Sequence, residues 1–238
     1  MTNSSNLIDS LEIYTLSNPD DVKPHWVSHF IVPTANELLI KIKNKDGNSG
    51  FGLATSYTDI APLIKPFSNG LSDLIIGEDP FCPEKIYQKI FKLTDTRISN
   101  EKGWSKEAII RISAALDIAC WDLIGKSSNI PLYKLFGGFR NKVPVYVTCG
   151  YYRDGKSDTE LKEELNKLIK IGHQSFKVKV GGLTIKEDAK RLEIIRDEIG
   201  DEKSLMIDVN RAWDLKTAIE GVTEFKKFKP TWIEEPLR

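Results

Sequence analysis

The sequence predicts an α+β domain over residues 1–142, followed by the first half of a (β/α) barrel of the TIM type over residues 143–238. Before residue 142, apolar residues at alternate positions are followed by segments with helical periodicity. After it, short β-branched runs begin about 30 residues apart, the length of a strand–helix–strand repeat. Amphipathic segments lie between these runs, and this alternation favours a parallel sheet or a closed barrel.

The first domain begins with strands. A short strand is predicted at residues 11–17, and alternation over 38–43 is typical of a half-buried strand. Asp46-Gly47 is a turn signal, and residues 50–54 form the returning strand.

Two helices follow these strands in the first domain. Pro83 suits the first turn of one helix. Ser105 is a plausible N-cap for a longer helix that ends near Lys126. An antiparallel sheet followed by helices is typical of an α+β domain.

The second domain alternates strands and helices. The strands are predicted at residues 143–147, 175–180, 204–209 and 231–234, and the helices begin at Ser157 or Asp158, at Thr184 and at Asp214. These four strands are about half of the eight in a complete barrel. We therefore expect about half of a barrel in this chain.

Composition excludes several classes of protein. The 34 basic residues balance 34 acidic ones, which argues against binding of nucleic acid or of a membrane surface through basic residues. No apolar run reaches about 18 residues, the length of a membrane span, and residues 1–10 show no secretory signal. Cys82, Cys120 and Cys149 form no Cys-x-x-Cys pair, so we expect free thiols and a cytoplasmic location.

Charged residues end three consecutive strands of the second domain. Lys177 and Lys179 share one face of their strand, Asp208 and Asn210 share one face of the next, and Glu234 ends the last. Taken alone, each signal has an ordinary explanation: a solvated edge, a helix cap or a strand exit. Their order on consecutive strands favours a site, because ligands bind at the carboxyl ends of strands in parallel α/β sheets.

These motifs, together with residues 114–126, Pro131-Leu132 and residues 135–138, resemble the mandelate racemase and muconate lactonizing enzyme family of the enolase superfamily. The resemblance covers the whole chain. It implies that the first domain is a capping domain that covers the barrel mouth and shapes the substrate pocket. It also implies abstraction of a proton α to a carboxylate, with the enediolate stabilised on Mg²⁺.

The resemblance assigns a role to each strand-end residue. Asp208 and Glu234 would be the first two ligands of Mg²⁺. Lys179 would be the base that transfers the proton, and Lys177 would steady the substrate carboxylate. Asn210 would bind substrate near the metal.

Other parts of the family pattern fall outside the chain. The resemblance implies that the third metal carboxylate and the second acid–base group lie on later strands, past Arg238, so we expect the chain to be a fragment of an enzyme. Two ligands alone would bind Mg²⁺ weakly, because the ion favours near-octahedral coordination. Glu235 is expected to form a supporting ion pair.

Several residues keep more than one interpretation. His25 and His29 are four apart in a loop, so they lie on the surface, bind a metal or, by the resemblance, close over substrate. Tyr151 and Tyr152 either line the pocket or pack in the interior. His173 follows a predicted helix end, where a cation is ordinary.

The favoured function is that of an acid-sugar dehydratase, because residues 208–213 resemble that subgroup. A racemase, epimerase or cycloisomerase of the same family is the first alternative. A non-catalytic remnant, or one half of a split enzyme, is the second. The expected partner is a small carboxylate, and the full-length enzyme is expected to be a homo-oligomer.

Overall fold

The computed structural model describes residues 5–17, 23–32, 36–56 and 59–238, which form two compact units. The first unit contains the described residues of 1–20 and 34–141, and the second contains those of 21–33 and 142–238. The predicted division at residue 142 places residues 23–32 in the first domain. They pack instead with the second unit, because Trp26 and Tyr152 exchange two backbone hydrogen bonds of 2.9 and 3.1 Å.

The strands and helices of the described residues are numbered in chain order, and they alternate along the second half of the chain, as the sequence predicts. The strands are β1 (Ile8–Ser17), β2 (His25–Trp26), β3 (Ile31–Val32), β4 (Asn36–Asn44), β5 (Ser49–Ser56), β6 (Val147–Cys149), β7 (Ser175–Lys179), β8 (Ser204–Asp208) and β9 (Ile233–Glu234). The helices are α1 (Ala61–Ser68), α2 (Pro83–Phe91), α3 (Arg97–Lys102), α4 (Lys106–Ser127), α5 (Leu132–Leu135), α6 (Asp158–Ile171), α7 (Ile185–Ile199) and α8 (Leu215–Phe225). Short 3₁₀ turns lie at Ser72–Leu74, Lys92–Asp95 and Lys226–Phe228.

The first unit is an antiparallel sheet in the order β1-β4-β5, packed against helices. Leu38, Ile40 and Ile42 are fully buried on one face of β4. Glycines allow α4 to lie directly on β5, since a Cβ at Gly52 would stand 1.9 Å from the Ala115 carbonyl oxygen. No other side chain fits at such a close approach of backbones.

The second unit contains a parallel sheet in the order β6-β7-β8-β9, with α6, α7 and α8 as the crossovers. This is the predicted half of a (β/α) barrel, so the fold class is confirmed. All four strands are shorter than predicted, β7 and β8 by one residue each. Val143 and Val145 are exposed, and the first strand pairs with β7 only from Val147 onward. The last strand begins at Ile233.

Helix caps in the second unit follow the sequence signals. Ser157 caps α6 and Thr184 caps α7, each in a complete capping box. Asp214 caps α8, where its side chain accepts from the Thr217 N–H. These caps fix where each strand-to-helix loop ends, and the loops after β7 and β8 begin directly after Lys179 and Asp208. Among the described residues, no helix is long and apolar enough to cross a membrane.

The three cysteines are free thiols, and they differ in exposure. Cys82 is exposed, whereas Cys120 and Cys149 are buried. Burial raises the pKa of each buried thiol to about 12. The thiolate is the reactive form, so neither buried cysteine should react in the folded protein.

We therefore expect one fast-reacting thiol per folded chain between pH 7 and 9, and three after denaturation. Below about pH 9 the two thiols are protonated in both the folded and the unfolded chain. Above it the unfolded thiols ionise while the buried ones stay protonated, so the fold loses stability as the pH rises toward 12. Titration with a coloured disulfide reagent, with and without denaturant, gives both counts. Fast reaction of Cys149 in the folded chain would contradict the burial described here.

Candidate active site

Four charged side chains meet at the carboxyl ends of three neighbouring strands. Lys177 and Lys179 lie on one face of β7, and in the parallel register Lys179 pairs with Asp208, which in turn pairs with Glu234. Lys177 Nζ lies 3.0 Å from Asp208 Oδ2 and 2.5 Å from Glu234 Oε1. Lys179 Nζ lies 2.8 Å from Asp208 Oδ2. The structure thus brings together four of the five strand-end residues that the sequence selected, and the fifth, Asn210, donates its N–H to Asp208.

Burial and hydrogen bonding shift the pKa values of Asp208 and Lys177 in opposite directions. Burial raises the pKa of the Asp208 carboxyl, but hydrogen bonds from Lys179, Lys177 and the Asn210 N–H outweigh it, so the pKa is lowered. Burial likewise lowers the pKa of Lys177, but its hydrogen bonds to Glu234 and Asp208 outweigh that effect and raise the pKa. Asp208 is therefore an anion and Lys177 a cation at neutral pH.

The loops that leave β8 and β9 contain strained backbone. Asn210, Arg211 and Glu235 have φ angles of 51°, 62° and 43°, in the left-handed region that favours glycine. The Asn210 N–H donates to Asp208 Oδ1 at 2.9 Å, and the Arg211 N–H donates to the Glu235 carbonyl oxygen at 2.7 Å. Such strain at several adjacent positions is typical of functional sites.

The donor set fits a hard cation in part. Asp208 and Glu234 present carboxylate oxygens at paired positions, and Asn210 Oδ1 is buried without a hydrogen-bond partner. Mg²⁺ is commonly held by one or two carboxylates, with water and substrate completing its shell. Lys177 Nζ already lies between the two carboxylates, so the position favours positive charge. Within the described residues, no cluster of three or more His, Cys, Asp or Glu side chains is placed to hold a metal.

Aromatic rings border the two lysines. Lys179 Nζ lies 5.5 Å from the centre of the Tyr151 ring, which contacts His25 edge-to-face at 4.6 Å. Lys177 Nζ lies 5.9 Å from the Tyr146 ring. Tyr151 and His25 therefore lie beside the cluster, as one of their interpretations requires.

Sequence reasoning missed Tyr146 and Trp232. Trp232 Nε1 donates to Glu234 Oε2 at 3.3 Å, and the Trp232 ring packs edge-to-face on Tyr146. Trp232 lies two positions before Glu234, and residues two apart share a strand face. That spacing is the signal that would have found it.

The remaining candidate residues contact other side chains. His29 forms a hydrogen bond with Ser28, and its ring packs edge-to-face on Phe30. Tyr152 is buried, and its hydroxyl donates to Asp188 rather than to the lysine cluster. Glu235 forms the expected ion pair, with Arg211 Nε at 3.6 Å.

An α+β unit joined to parallel βα repeats, with lysines and carboxylates at the strand ends, defines a barrel enzyme fold. Residues 10–137 match the N-terminal domain of mandelate racemase / muconate lactonizing enzyme, and residues 160–238 match an enolase C-terminal domain-like fold. The chain belongs to the mandelate racemase/muconate lactonizing enzyme family of the enolase superfamily.

Curated relatives include both dehydratases and an epimerase. Arabinonate dehydratase of Saccharolobus solfataricus is 31% identical over 84% of this chain and 52% of its own length. L-talarate/galactarate dehydratase of Salmonella typhimurium is 35% identical over 84% of this chain and 48% of its own length. L-Ala-D/L-Glu epimerase of Clostridium acetobutylicum is 33% identical over 91% of this chain and 58% of its own length. The chain thus spans about half the length of the curated relatives it matches.

Two solved structures of relatives contain magnesium. A racemase from Streptomyces coelicolor with bound magnesium has a TM-score of 0.83 and 29% identity, covering 98% of this chain and 63% of that one. L-talarate/galactarate dehydratase from Salmonella typhimurium, liganded with Mg and L-lyxarohydroxamate, has a TM-score of 0.82 and 28% identity, covering 98% and 59%.

Proposed function

We propose that the second unit carries the base and part of the metal site of a Mg²⁺-dependent enzyme that removes the proton α to a carboxylate. The observation that carries this proposal is the convergence of Lys179, Lys177, Asp208 and Glu234 at three adjacent strand ends. A proton next to a carboxylate is very weakly acidic, so its removal needs a positioned base and nearby positive charge.

Each side chain has one task in this proposal. Lys179 Nζ, as the unprotonated amine, accepts the proton from the α carbon, and the ammonium that results pairs with Asp208, which holds the side chain in place. Lys177, with three N–H donors, binds a carboxylate oxygen of the substrate. Asn210 Oδ1, which has no partner, accepts a hydrogen bond from substrate. Asp208 and Glu234 would hold Mg²⁺, which supplies Lewis-acid neutralisation of the developing negative charge.

Within this chemistry we favour an acid-sugar dehydratase. The relatives at 31% and 35% identity are arabinonate and L-talarate/galactarate dehydratases, which supports a hydroxylated carboxylate as substrate. A dehydratase also expels the β hydroxyl with the help of an acid. The 33% identical L-Ala-D/L-Glu epimerase supports epimerisation as the alternative, in which the proton is returned to the opposite face. A homo-oligomeric enzyme, and a cytoplasmic location suggested by the free thiols, belong to the same proposal.

The test is incubation of the full-length protein, with every strand of its barrel, with a panel of acid sugars and dipeptides in Mg²⁺ buffer. Dehydration yields an α-keto acid, which semicarbazide detects by absorbance, whereas epimerisation yields an isomer that chromatography separates. We expect keto-acid formation from at least one acid sugar, abolished by a metal chelator. Only epimerised products would overturn the dehydratase assignment, and no turnover of any substrate would support the non-catalytic alternative.

A further inference from the structure

A second group of buried polar side chains lies behind the lysines, at the ends of β6 and β7. Asp188 is 1% exposed and Arg191 15%, and both belong to α7. Tyr152 follows β6 and is 4% exposed. The Tyr152 hydroxyl donates to Asp188 Oδ1 at 2.6 Å, and Arg191 Nη1 reaches the same oxygen at 3.2 Å. The Arg191 guanidinium also lies 4.1 Å from the Tyr152 ring centre.

This group binds four backbone positions beside the proposed base. Arg191 Nη1 donates to the carbonyl oxygen of Lys179 at 3.1 Å, and Nη2 donates to that of Gly150 at 2.7 Å. Asp188 Oδ2 accepts from the Gly181 N–H at 2.7 Å. The Tyr152 hydroxyl accepts from the Gly182 N–H at 3.2 Å. Side chains therefore hold the backbone from Lys179 to Gly182 and the carbonyl group that precedes Tyr151.

Stability alone is a weak explanation for this arrangement. Buried ion pairs lose solvation, and apolar replacements of similar volume are often as stable. A planar guanidinium instead provides donors in a fixed geometry, which suits it to fixing the directions of two carbonyl groups. Both carbonyls belong to strand ends that carry or adjoin the proposed base.

We propose that Arg191, held by Asp188, is a positioning residue that fixes the direction of the Lys179 side chain. The inference rests on the proposed function, because it takes Lys179 as the group that transfers the proton. Arg191 acts through the Lys179 carbonyl, and through Gly150 it also sets the place of Tyr151, whose ring borders Lys179 Nζ. Small displacements of a reacting group are costly, at about 100-fold in rate for 1 Å.

The same helix offers a matched control. Arg196 also binds carbonyl oxygens through its guanidinium, those of Phe228, Gly200 and Lys203 at 3.1, 2.9 and 2.9 Å. These carbonyls belong to residues that precede β8 and β9. They therefore lie at the amino ends of the strands, whereas Lys179 lies at the carboxyl ends. A structural arginine and a positioning arginine can therefore be compared on one helix.

The experiment replaces each arginine with methionine in a chain labelled with ¹³C at the lysine side chains. We expect R191M to shift the Lys179 Cε–Hε signal and R196M to leave it unchanged, with the signal assigned through K179R. On a substrate of the unsubstituted protein, R191M should lower kcat about 100-fold with little change in KM. R191K should recover part of kcat, because it restores one donor and the charge.

Equal shifts in R191M and R196M, or no shift in R191M, would overturn the positioning role. If R191M does not fold, Y152F replaces it, since it removes only the hydroxyl that joins Asp188 to Gly182. The NMR comparison needs no substrate. Absence of turnover in the unsubstituted protein would therefore count against the proposed function, while the signal of Lys179 still decides the role of Arg191.

Discussion

Replacing Lys179 with methionine is expected to slow exchange of the substrate α proton by about 10²- to 10⁴-fold, the contribution typical of a positioned general base. Methionine keeps the length of the side chain and removes the group that accepts the proton. Lys179 is 7% exposed and lies beside Asp208, so water has little access to replace it. The measurement is loss of the α-proton signal by ¹H NMR in D₂O, with Mg²⁺ and an acid sugar that the protein turns over.

Lys203→Met is the matched control for this prediction. Lys203 directly precedes β8, at the amino end of that strand and away from the charged cluster. Its ammonium donates to the Ile199 carbonyl oxygen at 3.1 Å. Loss of this ammonium should leave exchange unchanged. Exchange by K179M within threefold of the unsubstituted protein would exclude Lys179 as the base.

Asp208→Asn is expected to lower the free energy of unfolding of the second unit by about 3–5 kcal/mol in the absence of metal. The Asp208 carboxylate is 2% exposed and accepts hydrogen bonds from the buried side chains of Lys177 and Lys179. Asparagine keeps the oxygen that accepts from the Asn210 N–H but removes the charge, so the lysines lose an anionic partner. Urea denaturation followed by tryptophan fluorescence gives the change.

Asp197 provides the control for this stability measurement, since it is exposed on α7. Asp197→Asn should change the free energy of unfolding by less than about 0.5 kcal/mol. A loss below about 1 kcal/mol for Asp208→Asn would mean that the ion pairs at the strand ends contribute little to the fold.

Much of the fold could be predicted because its signals are local. Capping boxes at Ser157 and Thr184 depend on residues three apart, and both are present. The strand-end residues could be found for a similar reason. Parallel strands bring their carboxyl ends together, so the sequence predicts that Lys179, Asp208 and Glu234 converge.

The rest depended on contacts between residues distant in sequence. The pairing of Trp26 with Tyr152, which places residues 23–32 in the second unit, has no local signal. The two bonds from Arg191 to strand-end carbonyls were equally hidden, because an arginine on an amphipathic helix is ordinarily a surface residue. The late start of β6 arises because only residues from Val147 onward pair with β7.

The most direct test of the account is a crystal structure of the protein soaked in Mn²⁺, which stands in for Mg²⁺ and gives an anomalous signal. We expect one ion bound to oxygens of Asp208 and Glu234 at about 2.0–2.2 Å, with Lys177 displaced from between them. An ion bound elsewhere, or none at these carboxylates at saturating metal, would contradict the assignment of this strand edge as the metal-dependent site.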